Sequence, residues 1–466
     1  MKLVEELQNR FGYPRFRPGQ QEVLETFLRG NDVLAVLPTG TGKSLLYQFP
    51  SSYFSGTVII VSPLVSLMLD QVEQLKKSGM KQTVAFTSFQ TANERKYALS
   101  HIQSYRYIFV SPEILQNEAV RRAIQTLHIA YFVLDEAHCL VQWGVDFRPD
   151  YLRAVEWIRQ AFSKQLLALT ATANTKTRQE IKELLKSPAM IEVVSSVDRP
   201  TIALETIEVK NEQEKTDLLT EQVLTYEGPG IVYVQSRVRA ENLARELGNQ
   251  GVQVAAYHGG MQQEDRRLIQ QQFMLGNLEW ICATNAFGMG IHKENIRQVI
   301  HDHIPTSLSN YMQEIGRASR DSLPSLATMY YIHSDEQKSR FVAMQDLPTR
   351  EDILYYLEHP EVELPEQQQR ILDYWKTKLP GEKIVSLFDE LQQKKRLEIH
   401  TLYQLISSSR CLREALVHVF DGKLEEKPHP CCDRCGETRM AIKKRQSRPP
   451  TPSHFSWKDR LKQIFP

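Results

Sequence analysis

No run in this chain approaches the ~18 consecutive apolar residues that a membrane-spanning helix requires. Its opening, MKLVEELQNRFG, carries two glutamates where a secretion signal would need an apolar core. Neither membrane insertion nor export is expected, and a cytoplasmic location is. A surplus of charge is also missing: 57 Lys and Arg face 56 Asp and Glu, so any nucleic-acid surface must be a local groove rather than a global field. Cysteine is scarce, with six residues in 466, which speaks against a disulfide framework. Cys139 and Cys282 lie in apolar, strand-like contexts, while Cys411, Cys431, Cys432 and Cys435 crowd the C-terminal end and point to a metal before a disulfide.

What is present is enough apolar sequence for several cores. Roughly one domain per 150 residues suggests about three, and a hydrophobic share of 41% with 24% charged residues is that of an ordinary globular protein. From residue 30 the apolar runs DVLAVL, TVIIVSP, YIFVSP, AYFVLDE and LLALTATA alternate with helical patterns, the signature of a doubly wound parallel sheet. The alternation pauses over a polar stretch, Ser195 to Glu214, and restarts with GIVYVQSR, VQVAAYHGG, LEWICATNAFG, VIHDHIP and ATMYYI. Two tandem α/β domains are expected, at 1–200 and 201–335, with a cleft between them. A helical, cysteine-bearing segment at 336–436 and a flexible basic tail at 437–466 follow.

The stretch VLAVLPTGTGKSLLYQ sets Thr39, Gly40, Thr41, Gly42, Lys43 and Ser44 between a buried strand and a helix start. Glycines let backbone N–H groups face phosphates, Lys43 adds a point charge, and Ser44 offers a hydroxyl to Mg2+. The strict pattern would place glycine at Leu37, so this is a variant phosphate loop. A second element, IAYFVLDEAHCLVQWGVDFRPDY, ends an apolar strand on two carboxylates. Asp135 is placed to coordinate Mg2+, and Glu136 to orient and deprotonate an attacking water. Trp143, Phe147 and Arg148 follow in a loop suited to stacking on bases and touching phosphates.

DEAH at 135–138, LTATA at 169–173 and YMQEIGRASRD at 311–321 resemble motifs of superfamily 2 helicases. FGYPRFRPGQ at 11–20, WGVDFRPDY at 143–151 and NAFGMGIHKENIRQVIH at 285–301 narrow the resemblance to the RecQ family of DNA helicases, over roughly residues 5 to 435. The resemblance implies two RecA-like domains followed by a helical zinc-binding subdomain, and an ATP-dependent DNA helicase translocating 3′ to 5′ on a single strand in repair and recombination. It implies that Tyr13, Arg17 and Gln20 hold adenine, that Arg317 and Arg320 reach the γ-phosphate with Arg320 as arginine finger, and that Gln313 supports them. For DNA it points to Ser62, Pro63, Leu64 and Ser66, to Ser111 and Pro112, to Gln235, Ser236 and Arg237, and to His258 and Thr284. Small polar side chains and N–H groups at strand ends suit backbone phosphates and read no sequence.

Cys432 and Cys435 have the spacing of a metal knuckle, joined by Cys411 from a helix-like segment. Structural zinc is expected, with Cys431 as fourth ligand and His429 as the alternative, since the family's C-x-x-C-x-x-C run would put His429 first. Single-stranded and tailed duplex DNA are the expected partners, with single-stranded-DNA-binding or other repair proteins as candidates, a monomer as the expected state and the bacterial nucleoid as the place of action. The 31 residues after Cys435 are too few for the winged helix of larger relatives, so a short form is expected. Val145 stands where the family commonly has histidine, and Ser319 replaces a usual glycine in what reads as helix. The alternatives are a DEAD-box RNA helicase and an ATP-switched DNA clamp that hydrolyses without unwinding.

Overall fold

Short runs of β-branched and aromatic residues, almost all buried, build two separate parallel sheets. The computed structural model describes residues 3–142, 144, 149–287, 293–359, 361 and 364–446. The first sheet contains β1 (Val33–Val36), β2 (Thr57–Val61), β3 (Thr83–Phe86), β4 (Tyr107–Val110), β5 (Ile129–Leu134), β6 (Leu166–Thr170) and β7 (Ile191–Val194) in the order β3-β4-β2-β5-β6-β1-β7. Successive residues feed opposite faces: Leu34 and Val36 join one core with Ile59, Phe132 and Ala168, while Val33 and Ala35 join another with Val58, Tyr131 and Leu167. Burial on both faces is why these strands read as continuous apolar runs.

The second sheet contains β8 (Ile202–Glu208), β9 (Gly230–Tyr233), β10 (Val254–Tyr257), β11 (Trp280–Ala283), β12 (Gln298–His301) and β13 (Ser325–Tyr331), also parallel, in the order β10-β11-β9-β12-β13-β8. The chain divides into two compact units: residues up to Val197 together with Asp346–Gln393, and Asp198–Gln345 together with the chain from Lys394 onward. The segment expected as one helical subdomain at 336–436 is thus shared, and the division falls inside the long helix Gly381–Ser407.

Two further expectations need correction. The stretch Ser195 to Glu214 is not patternless, because it contains β8. Its polar residues are buried by partners from the far end of the chain: Glu205 accepts from Thr438 Oγ1 at 3.0 Å and Arg439 Nε at 3.2 Å. The tail also begins later than 437. Ala441 and Ile442 are buried against Ala203, Tyr226 and Leu326, and Arg445 donates to Glu279 Oε1 at 2.6 Å. The remainder of the expected tail, 447–466, lies outside the described residues.

Candidate active site

In the first unit the carboxyl ends of β1, β6 and β5 are neighbours, and each delivers part of one constellation. After β1, Leu37 is fully buried and its N–H donates to Thr170 O at 3.0 Å. A Cβ at Gly19, whose φ is 79°, would stand 2.5 Å from Leu37 Cδ2. The leucine that breaks the strict phosphate-loop pattern therefore wedges the loop against the segment 11–20. Gly40 and Gly42 take φ values of 82° and 74°, turning the chain so that Lys43 enters the helix Ser44–Gln48.

The residues expected at adenine also hold this loop. Gln20 is 3% exposed; its Oε1 accepts from Arg17 N at 2.8 Å, while its Nε2 donates to Thr41 O at 2.7 Å and Gly42 O at 3.2 Å. Arg17 donates to Gly40 O, and Tyr13 is 53% exposed.

Asp135 follows β5, with its N–H bonded to Val61 O at 2.9 Å and its carbonyl accepting from Tyr151 OH at 2.7 Å. Burial, and then the neighbouring Glu136 carboxylate, push its pKa up to about 7, against the opposing pull of the Lys43 ammonium. A cation beside this carboxyl would favour its ionised form. Glu136 has a left-handed backbone, φ 50°, uncommon for a residue with a side chain.

His138 and Thr170 lie within DEAH and LTATA, and local sequence assigns neither of them a role. His138 is buried, with Nδ1 at 2.9 Å from Thr170 Oγ1 and 3.5 Å from Glu136 Oε2. Burial pulls its pKa down to about 4, so it is a neutral link between the end of β5 and the end of β6 at ordinary pH. Only proximity across strands assigns that link, and nothing in the local sequence announces it.

In the second unit Gln313 and Arg317 are buried, on and just beyond the helix Leu308–Ile315. Burial and the charges of Arg317 and Arg199 hold Arg320 well below the usual guanidinium range, at about 9. It remains a cation at neutral pH, and this crowding of positive charge favours an anionic ligand. Ser319 is not helical as expected. The helix ends at Ile315, and Ser319 takes φ 58°, with its hydroxyl 2.5 Å from Thr201 Oγ1.

The residues expected to meet DNA are placed unequally. Ser62 and Ser111 are each 1% exposed, with N–H groups bonded to Val110 O and Phe86 O. Ser111 Oγ accepts from Ile114 N at 3.4 Å, which closes the turn after β4. Pro63 is also buried, Leu64 half-buried and Ser66 exposed at the start of the helix Val65–Lys77. In the second unit Ser236 and Arg237 are exposed, and Ser236 caps the helix Arg237–Asn249. Gln235 and Thr284 are half-buried, while His258 is buried against Glu241 at 3.0 Å. Trp143, Phe147, Arg148 and Val145 lie outside the described residues.

Also in the second unit, the sulfurs of Cys411, Cys431, Cys432 and Cys435 lie within 4.8 Å of one another, and His429 is not among them. Neighbouring pairs are 3.6–3.8 Å apart. A tetrahedral zinc with bonds of ~2.3 Å gives an edge of ~3.8 Å, so four thiolates fit the ion. Burial and the adjoining thiols push Cys435 up to about 11, so a cation is what makes a fully ionised set favourable. The segment Cys431–Asp433 runs along β8: Leu204 N donates to Cys431 O at 3.1 Å and Asp433 N to Leu204 O at 3.0 Å.

The DEAD/DEAH box helicase family matches residues 17–181, and the helicase conserved C-terminal domain matches residues 214–322. The protein named "Probable ATP-dependent DNA helicase RecS" of Bacillus subtilis is 39% identical across 100% of this chain and 98% of its own length. The ATP-dependent DNA helicase RecQ of Synechocystis sp. is 32% identical across 93% of this chain and 98% of its own. Among solved structures, Mycobacterium smegmatis helicase Lhr bound to ssDNA and AMP-PNP has a TM-score of 0.61 at 18% identity, covering 87% of this chain and 57% of that one. Saccharomyces cerevisiae Dbp5 bound to RNA and ADP BeF3 has a TM-score of 0.60 at 19% identity, covering 83% and 97%. At such identities the structural likeness establishes the shared fold of paired RecA-like domains. Full-length similarity at 32–39%, with both helicase domains matched, places this chain in the RecQ family of ATP-dependent DNA helicases.

Proposed function

We propose that this ATP-dependent DNA helicase moves 3′ to 5′ along single-stranded DNA and separates tailed duplexes in repair and recombination. The observation that best supports a hydrolytic motor is the meeting of Lys43, Asp135, Glu136 and His138 beyond the ends of β1 and β5, the two strands that flank β6. In this reading the loop 39–44 cradles the triphosphate, and Tyr13, Arg17 and Gln20 hold the adenine. Ser44 and Asp135 hold Mg2+, which neutralises charge on the phosphates. Glu136 orients the water and accepts its proton, releasing ADP and phosphate. Arg320, with Arg317 and Gln313, stabilises transition-state charge, a contribution of roughly 10³ to 10⁵ in rate.

DNA follows the helix start at Ser236 and Arg237 and the strand ends near Ser66 and Thr284, with Trp143, Phe147 and Arg148 stacking and contacting phosphate. Ser62 and Ser111 tie the ends of β2 and β4 to their neighbours through their N–H groups, with Pro63 buried beside them. Zinc held by the four cysteines fixes the chain along β8. The experiment is stimulation of ATP hydrolysis by single-stranded DNA and RNA in parallel. DNA is expected to stimulate strongly and RNA weakly; equal or greater stimulation by RNA contradicts the proposal.

A further inference from the structure

Helix Leu308–Ile315 ends just before the two arginines assigned to the γ-phosphate, so residues 316–320 form a turn whose carbonyls lack helical partners. Three of them converge on one side chain. Arg199 donates from Nη1 to Gly316 O at 3.1 Å, and from Nη2 to Ala318 O at 3.1 Å and Ser319 O at 2.8 Å. The backbone on the other side of the turn is tied as well, through Ser319 N to Ile296 O at 3.0 Å and Arg320 N to Glu294 O at 3.1 Å.

Arg199 is itself held. Arg413, 2% exposed, donates to Asp198 Oδ1 at 2.6 Å and to Arg199 O at 3.1 Å, and also to Ile202 O and to Cys431 O at 3.3 Å. All of these residues belong to the second unit.

We propose that Arg199 is a positioning residue for ATP hydrolysis, its guanidinium fork fixing the turn that aims Arg317 and Arg320. This rests on the reading of those two arginines as the transition-state contacts. A planar guanidinium with five donors can span three carbonyls, and an ammonium cannot do so with the same geometry. The influence of the Arg199 charge on Arg320 shows that the two cations are neighbours. Without the fork the carbonyl side of the turn is untied, which loosens the aim of Arg317 and Arg320. A displacement of about 1 Å in a catalytic group costs roughly 10²-fold in rate.

The test uses the full chain with Arg199→Ala and Arg199→Lys, measuring DNA-stimulated ATPase, affinity for ADP, affinity for ADP with aluminium fluoride as transition-state mimic, zinc content and melting temperature. In Arg199→Ala, kcat is expected to fall roughly 10²-fold. The KM for ATP and ADP affinity stay near wild type, and the aluminium fluoride complex weakens in proportion to kcat. Arg199→Lys keeps the charge without the fork and shows the same pattern with a smaller loss; it carries the test if the alanine variant loses zinc or melts early. Unchanged kcat in a folded variant overturns the proposal. So does a parallel fall of kcat, ADP affinity and stability, which marks a general structural role. Arg320→Ala separates the two readings: full activity there defeats the arginine assignment, whereas an inactive Arg320→Ala beside a fully active Arg199→Ala defeats only the positioning role. Added to the double variant Arg317→Ala with Arg320→Ala, Arg199→Ala is expected to cause no further loss, and an additional loss contradicts a shared path.

Discussion

Gln20 engages both ends of its carboxamide within the first unit, accepting from Arg17 N and donating to the carbonyls of Thr41 and Gly42. Gln20→Ala removes three hydrogen bonds that hold the loop 39–44 to the segment 11–20, each worth about 1 kcal/mol. It is expected to weaken ATP about tenfold in KM while DNA affinity measured without nucleotide stays unchanged. Ser319 is the second informative position. Its left-handed φ of 58° costs roughly 1 kcal/mol, and its hydroxyl contact with Thr201 returns a similar amount. Urea unfolding should therefore place Ser319→Gly within about 1 kcal/mol of wild type and Ser319→Val well below it, because a branched Cβ does not tolerate that region. Neither position is legible from local pattern. Phe11–Gln20 reads as a plain turn without the family resemblance, and Ser319 sits in a sequence that reads as helix until Arg199 and Thr201 are seen bonded to it.

Among the elements, β8 depends most on sequence far away. Its edge is covered by Cys431–Asp433, Arg434 ties Thr206 to the end of the long helix through Ile406 O and Ser408 O, and Glu205 is satisfied by Thr438 and Arg439. That explains why Ser195 to Glu214 shows no strand signal: its buried polar residues are compensated by groups more than 200 positions later, beyond any local window. The interior strands β1, β2, β4, β5 and β6 are the opposite case, apolar on both faces and plain in the sequence. A strong chelator is expected to release one zinc per chain, after which hydrogen exchange accelerates at the amides of Leu204 and Thr206 while β2 and β5 stay protected. Cys432→Ser should give the same exchange pattern without chelator; unchanged protection of β8 after zinc loss contradicts the proposed role of the cluster.

For the whole molecule, alternating apolar and helical patterns disclose two parallel α/β sheets. The shared membership of 346–393 and 394–446 in two units stays hidden, because helical periodicity does not say which core a helix joins. Lys43→Ala removes the point charge at the phosphate loop and is expected to abolish ATP hydrolysis by at least about 10²-fold with DNA binding retained; persistent turnover contradicts the phosphate-loop assignment. The central claim, that hydrolysis is coupled to separation of DNA strands with 3′-to-5′ polarity, is tested most directly by strand displacement on duplexes carrying a 3′ or a 5′ single-stranded tail. ATP-dependent displacement of the 3′-tailed duplex is expected, with none of the 5′-tailed one and none with Lys43→Ala. DNA-stimulated ATP hydrolysis without displacement of even a short 3′-tailed duplex would contradict it.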